Sequence, residues 1–63
     1  MSNNARILLK ANKLMNKYYE QSKVTNGKEW ADNVNKWFAA QTCANEAMTR
    51  MSLADWHEYE NER

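Results

Sequence analysis

The sequence predicts an all-α fold: a helical hairpin of two long antiparallel helices, then a short C-terminal helix, with two hairpins pairing about a two-fold axis into a four-helix bundle. Three observations carry that expectation. The 63 residues contain no proline and a single glycine, Gly27, so only one position invites a break. On both sides of it the apolar residues recur at three- and four-residue steps, the period of one helical face. The aromatic content of the second segment also exceeds what the inner face of one hairpin covers, and a second copy is expected to cover the rest.

The first helix is expected over about residues 4–23. Ile7, Leu8, Ala11, Leu14, Met15, Tyr18 and Tyr19 form its apolar side, and Ser2, Asn3 or Asn4 supplies the cap. Arg6, Lys10, Lys13 and Lys17 fall within a band of about 60° on the polar side. The break follows at Asn26-Gly27. Asn26 with Glu29 three residues later reads as a capping-box variant opening the second helix. Gly27 reads equally as a left-handed terminator of the first. Either way the connection is short enough to make the two helices antiparallel neighbours.

The second helix, expected over about residues 27–50, organises the chain. At about 100° per residue, Trp30, Val34, Trp37, Phe38, Ala44, Met48 and Met51 share one side. Trp30, Val34, Trp37, Phe38 and Met48, with Leu14 and Tyr18 of the first helix, are the expected core and dimer contacts. The opposite side collects Asp32, Asn35, Lys36, Glu46 and Arg50, with acid and base four apart in the favoured order. Ser52-Leu53-Ala54-Asp55 resembles a fresh N-cap with an acid in its first turn, opening a third helix over about residues 53–59. Continuation of the second helix is the other reading, and the tail from Glu60 is expected to fray.

Size limits the possibilities. A chain of 63 residues is one small domain, residues 1–63, and buries only about 60% of the surface it exposes when unfolded. One cysteine, Cys43, and one histidine, His57, build neither an internal disulfide nor a zinc site, so no cofactor is expected and association is the remaining source of stability. No apolar N-terminal run and no stretch of about 20 apolar residues occurs, so a reducing cytoplasm and no membrane contact are expected. The net charge is +1, but it is unevenly spread: residues 1–28 hold six cations against Glu20, and residues 52–63 hold four acids against Arg63.

Catalysis finds little support. Ser52, Asp55 and His57 lie close in sequence, but side chains on one helical turn splay apart where a nucleophile, base and orienter must converge. Cys43 sits at the edge of a polar side as a spectator thiol. Two binding surfaces remain. Leu53, Trp56 and Tyr59, rimmed by Asp55 and Glu58, form a candidate partner site of aromatic anchors in a charged border. The competing reading folds Trp56 back to close the end of the bundle. The stripe Arg6/Lys10/Lys13/Lys17 is a candidate for nucleic-acid contact through phosphates, without any zinc, helix-turn-helix or RNA-recognition pattern beside it.

The whole chain, through the Asn-rich hairpin and the ends MSNNARILLKANKLMNKYYEQ and ADWHEYENER, resembles the small early proteins of lambda-like phages encoded in the exo–xis region. That resemblance implies a non-enzymatic protein made early in infection, in the host cytoplasm, associated with disturbing the host cell cycle and biasing infection towards lysis. It brings no functional residues with it. Another protein of that region is a predicted DNA binder with a zinc site; that role does not transfer, because the ligands are missing. The expected function is therefore a homodimeric protein-interaction module acting on a host regulatory protein, with a small DNA-associated regulator as the alternative.

Overall fold

A computed structural model describes residues 2–62. It contains α1 (Asn3–Ser22), α2 (Gly27–Arg50) and α3 (Leu53–Glu62), in an elongated body of 42 × 18 × 12 Å. The Asn4 side-chain amide donates to the Arg50 carbonyl at 3.2 Å, so α1 and α2 run antiparallel along their whole length. The third helix returns beside the first half of α1 and parallel to it, and its backbone neighbours are all on α1.

The first and third helices begin with side-chain caps. Ser2 caps α1, its Oγ accepting from the Ala5 amide at 3.2 Å. Residues Ser52 and Asp55 close a reciprocal box at the start of α3: the Asp55 amide donates to Ser52 Oγ at 3.2 Å and the Ser52 amide to the Asp55 carboxylate at 3.1 Å. This box separates α3 from α2, at a connector of only Met51 and Ser52. The helix then runs to Glu62, three residues beyond the expected end, so 60–62 are helical where fraying was expected.

The Asn26–Glu29 box does not form, since the Asn26 side chain makes no cap bond. Thr25 ties the turn instead. Its hydroxyl donates to the Gln21 carbonyl at 3.0 Å and accepts from the Asn33 amide at 3.2 Å, which satisfies the buried Asn33. Gly27 has φ +61°, the left-handed geometry that favours glycine. It stands at the entrance to α2, five residues past the last residue of α1.

The core is not the aromatic stripe. Ala5, Leu8 and Ala11 of α1, Ala44 and Ala47 of α2, and Tyr59 of α3 form the buried cluster, with Ala40 buried nearby. On α2 the seam follows Asn33, Trp37, Ala40, Ala44, Ala47 and Met51, in steps of four and three, a heptad spacing. It is rotated about 60° from the stripe read from the sequence and shares only Trp37, Ala44 and Met51 with it. Three expected core residues are consequently exposed in the single chain: Trp30 at 49%, Phe38 at 55% and Met48 at 38%. Val34, Trp37, Leu14 and Tyr18 are half-buried. Small side chains let two helix backbones approach closely, and that approach takes precedence over burying the largest groups. The gain is modest, since each buried methyl contributes only about 0.8 kcal/mol.

Candidate protein-interaction surface

The surface divides according to where α3 lies. Over the first half of α1, α3 fills the groove beside the hairpin. Tyr59, expected to point outward, is 7% exposed; its hydroxyl oxygen accepts from the Asn12 side-chain amide at 2.6 Å, and Trp56 packs edge-on against its ring at 5.8 Å between centroids. The two rim acids also turn inward. The Glu58 carboxylate accepts from the Ser2 backbone amide. A hydrogen bond from Ser2 is the largest cause holding the Asp55 carboxyl below the usual aspartate range, followed by the Ser52 backbone amide; partial burial opposes them, and Asn4 adds a smaller contribution. The first turn of α1 has no acid of its own, so Asp55 and Glu58 supply negative charge to its dipole from another helix.

The expected C-terminal partner site is thus corrected. Tyr59, Asp55 and Glu58 are committed to α1, and Trp56 is half-buried against the core. Leu53, 76% exposed, is the one member of that set left wholly outside.

Beyond the end of α3 the groove is open. A cavity of about 550 Å³ lies at the junction, between Asn12, Met15, Trp37 and Tyr59. Trp37 separates it from a second, smaller cavity of 270 Å³ lined by Tyr19, Ser22, Trp30, Val34 and Phe38. Trp37 and Phe38 meet edge-to-face at 5.1 Å, which fixes the ring of Phe38 although much of it is exposed. Covering the exposed half of a tryptophan or phenylalanine, about 100 Å², is worth about 2 kcal/mol.

This apolar surface continues along α2. Trp30, Val34, Phe38, Gln41, Asn45 and Met48 share an arc of about 80° at 100° per residue, and none is charged. On the outer edge of that arc stand Ala31, Asn35, Thr42 and Thr49, again uncharged. Thr42 and Thr49 turn their hydroxyls back to the Phe38 and Glu46 carbonyls, at 3.0 and 2.7 Å, and so ask for no polar partner. The charges of α2, Lys28, Glu29, Asp32, Lys36, Glu46 and Arg50, lie on its other sides. There Lys36 and Lys17 approach the Tyr18 ring, each with Nζ 5.7 Å from its centroid.

The candidate nucleic-acid residues Arg6, Lys10, Lys13 and Lys17 are all exposed along one edge of α1. Three of them, Arg6, Lys10 and Lys13, line one shallow groove with Glu62, so the acidic helix lies next to the basic edge and lowers its potential. Cys43 is exposed. Among the described residues no three of His, Cys, Asp and Glu converge, and no helix is long and apolar enough to cross a membrane.

Sequence reasoning missed Tyr19 as a member of the open groove, and Ser2, Asn4 and Asn12 as the polar seats of α3. Alanines at 40, 44 and 47 were the legible sign of the seam. Comparison with known proteins finds no matching family model, no similar curated protein and no similar solved structure.

Proposed function

We propose that this chain is a non-catalytic protein-interaction module, of the type made early by lambda-like phages, which modulates a regulatory protein of the host cell. The observation that carries this reading is the open half of the hairpin, where Trp30 and Phe38 stand half in water beside Tyr19 and Val34. A chain this small gains too little from an alanine core to leave such side chains uncovered without use. Tryptophan and tyrosine in a groove are the residues from which binding hot spots are built. Homodimerisation into a helical bundle belongs to the same reading, as does engagement of a host factor through the outward edge of α3 around Leu53.

The test compares wild type with the Trp30→Ala/Phe38→Ala double variant, after circular dichroism has shown equal helicity. Two quantities are measured: mass in solution, and affinity for a purified host protein first captured by the wild type. The reading holds if the double variant loses at least about tenfold in either. It fails if both are unchanged, or if wild type associates with nothing. Contact with DNA phosphates is the second reading, favoured by four exposed cations on one edge. It requires binding of generic duplex that falls steeply with salt.

A further inference from the structure

We infer that the uncharged strip of α2 is the seat of a second copy of this chain, docked antiparallel, α2 against α2, about a two-fold axis passing between Phe38 and Gln41. The inference rests on the reading of the open face as an association surface and names its occupant.

The first argument is the placement of charge. In an isologous contact the same patch meets itself, so a charged residue near the axis faces its own like charge. From Trp30 to Thr49 the strip has no charged residue, while the remaining sides of the same helix carry six. A surface evolved for a foreign partner gains orientation from charges at its border. A surface that meets itself gains by excluding them.

The second argument sets the direction. Among the described residues the loop end, residues 13–38, carries five cations against three acids, and the end bearing α3 carries three cations against five acids. Each copy is an electric dipole along its long axis. Antiparallel docking lays the basic loop end of one copy beside the acidic α3 end of the other, whereas parallel docking brings like ends together.

The third argument is register. Trp30 and Met48 are 18 residues apart, five full helical turns, and so share one azimuth at opposite ends of the strip. An antiparallel partner centred between Phe38 and Gln41 brings the partner's Gln41 level with Phe38 and the partner's Met48 to within one residue of the level of Trp30. At the ends a large ring then meets a long flexible group, and at the centre the two copies of Phe38 flank the axis, offset by three residues of helix rise, about 4.5 Å.

The experiment measures the mass of the full chain by sedimentation equilibrium from micromolar to millimolar, for wild type and two charge variants. Wild type is expected to reach twice the monomer mass. Both Phe38→Lys and Phe38→Glu, at a site 55% exposed, are expected to keep wild-type helicity and dimerise at least about 100-fold more weakly, because like charges meet near the axis. Mixing the two is expected to restore the dimer as a heterodimer. Cross-linking fixes the direction in a Cys43→Ser background: Gln41→Cys is expected to form a disulfide-linked dimer on oxidation, and Trp30→Cys is not. Equal linkage at both sites overturns the antiparallel arrangement. A wild type that stays monomeric at millimolar concentration overturns the second copy as occupant. If that monomer still binds a purified protein through Trp30 and Phe38, the interaction surface survives with another occupant. If it does not, both fall.

Discussion

Residues 5–12 of α1 and 40–51 of α2 meet mainly through alanines and are closed on one side by α3. Residues 15–22 and 30–38 of the same two helices meet through larger side chains and have no third helix beside them. The closed half holds nearly all the fully buried residues, and its polar groups have specific partners in Ser2, Asn4, Asn12 and Arg50. The open half holds most of the aromatic surface and buries little of it. One hairpin therefore combines a part that is folded at the expense of interaction with a part available for interaction at the expense of folding. Stability and binding are assigned to different ends of one pair of helices.

Removing α3 is the largest perturbation of that division. Deletion of residues 52–63 uncovers Ala5 and Leu8, removes Tyr59 and strips the acids from the start of α1. For a domain of this size, whose whole stability is a few kcal/mol, the expected result is loss of most helicity at 25 °C. A truncated chain with wild-type circular dichroism and melting temperature would show that the closed half is not the folding unit.

Tyr59 sharpens the point with one side chain. Tyr59→Ala is expected to cost about 3–5 kcal/mol, as for other buried aromatics. Tyr59→Phe keeps the ring, leaves the Asn12 amide without its acceptor, and is expected to cost about 1 kcal/mol. Urea titration of the two variants separates packing from hydrogen bonding, and equal losses would contradict the geometry.

The closed half is also the acid-sensitive one. The carboxyl of Asp55 is held below its usual range by Ser2, Ser52 and Asn4. A depressed folded-state value means that its contribution is complete above the ordinary aspartate pKa of about 4 and is lost as pH falls through the folded value below it. The melting temperature of wild type is expected to fall between pH 4 and pH 2 more than that of Asp55→Asn. Parallel curves for the two proteins would remove Asp55 from the closure.

The three-helix architecture, the break at Asn26-Gly27 and the Ser52–Asp55 cap were legible in the sequence because each depends on local chemistry: periodicity, the lone glycine, a serine followed three residues later by an acid. The rotation of α2 was not. Hydrophobic periodicity weights side chains by size, and Trp30, Phe38 and Met48 therefore pulled the expected seam about 60° away from Ala40, Ala44 and Ala47. Close approach of two backbones is a property of the pair of helices, and it selects small residues that a single-helix reading undervalues. The seat of α3 was hidden for a related reason. Asp55 and Glu58 look like a solvated rim until the acid-free first turn of α1 is placed beside them.

The smallest expected effect on stability falls in the open half, and it is the most informative for function. Trp30→Ala and Phe38→Ala remove large side chains, which in a closed core would cost about 3–5 kcal/mol each. Here both groups are already about half in water, and neither belongs to the buried cluster. The isolated chain at low concentration is therefore expected to lose no more than about 1 kcal/mol from either change, with helicity unchanged. At high concentration the same substitutions are expected to abolish any rise of melting temperature with protein concentration, the signature of stability gained by association. Thermal melts of wild type and each variant at two concentrations a hundredfold apart contain the whole comparison. Separation of the curves only at the higher concentration places the aromatic strip in the interface. Separation at both by several kcal/mol would mean that Trp30 and Phe38 belong to the core of the single chain and that the open half is closed.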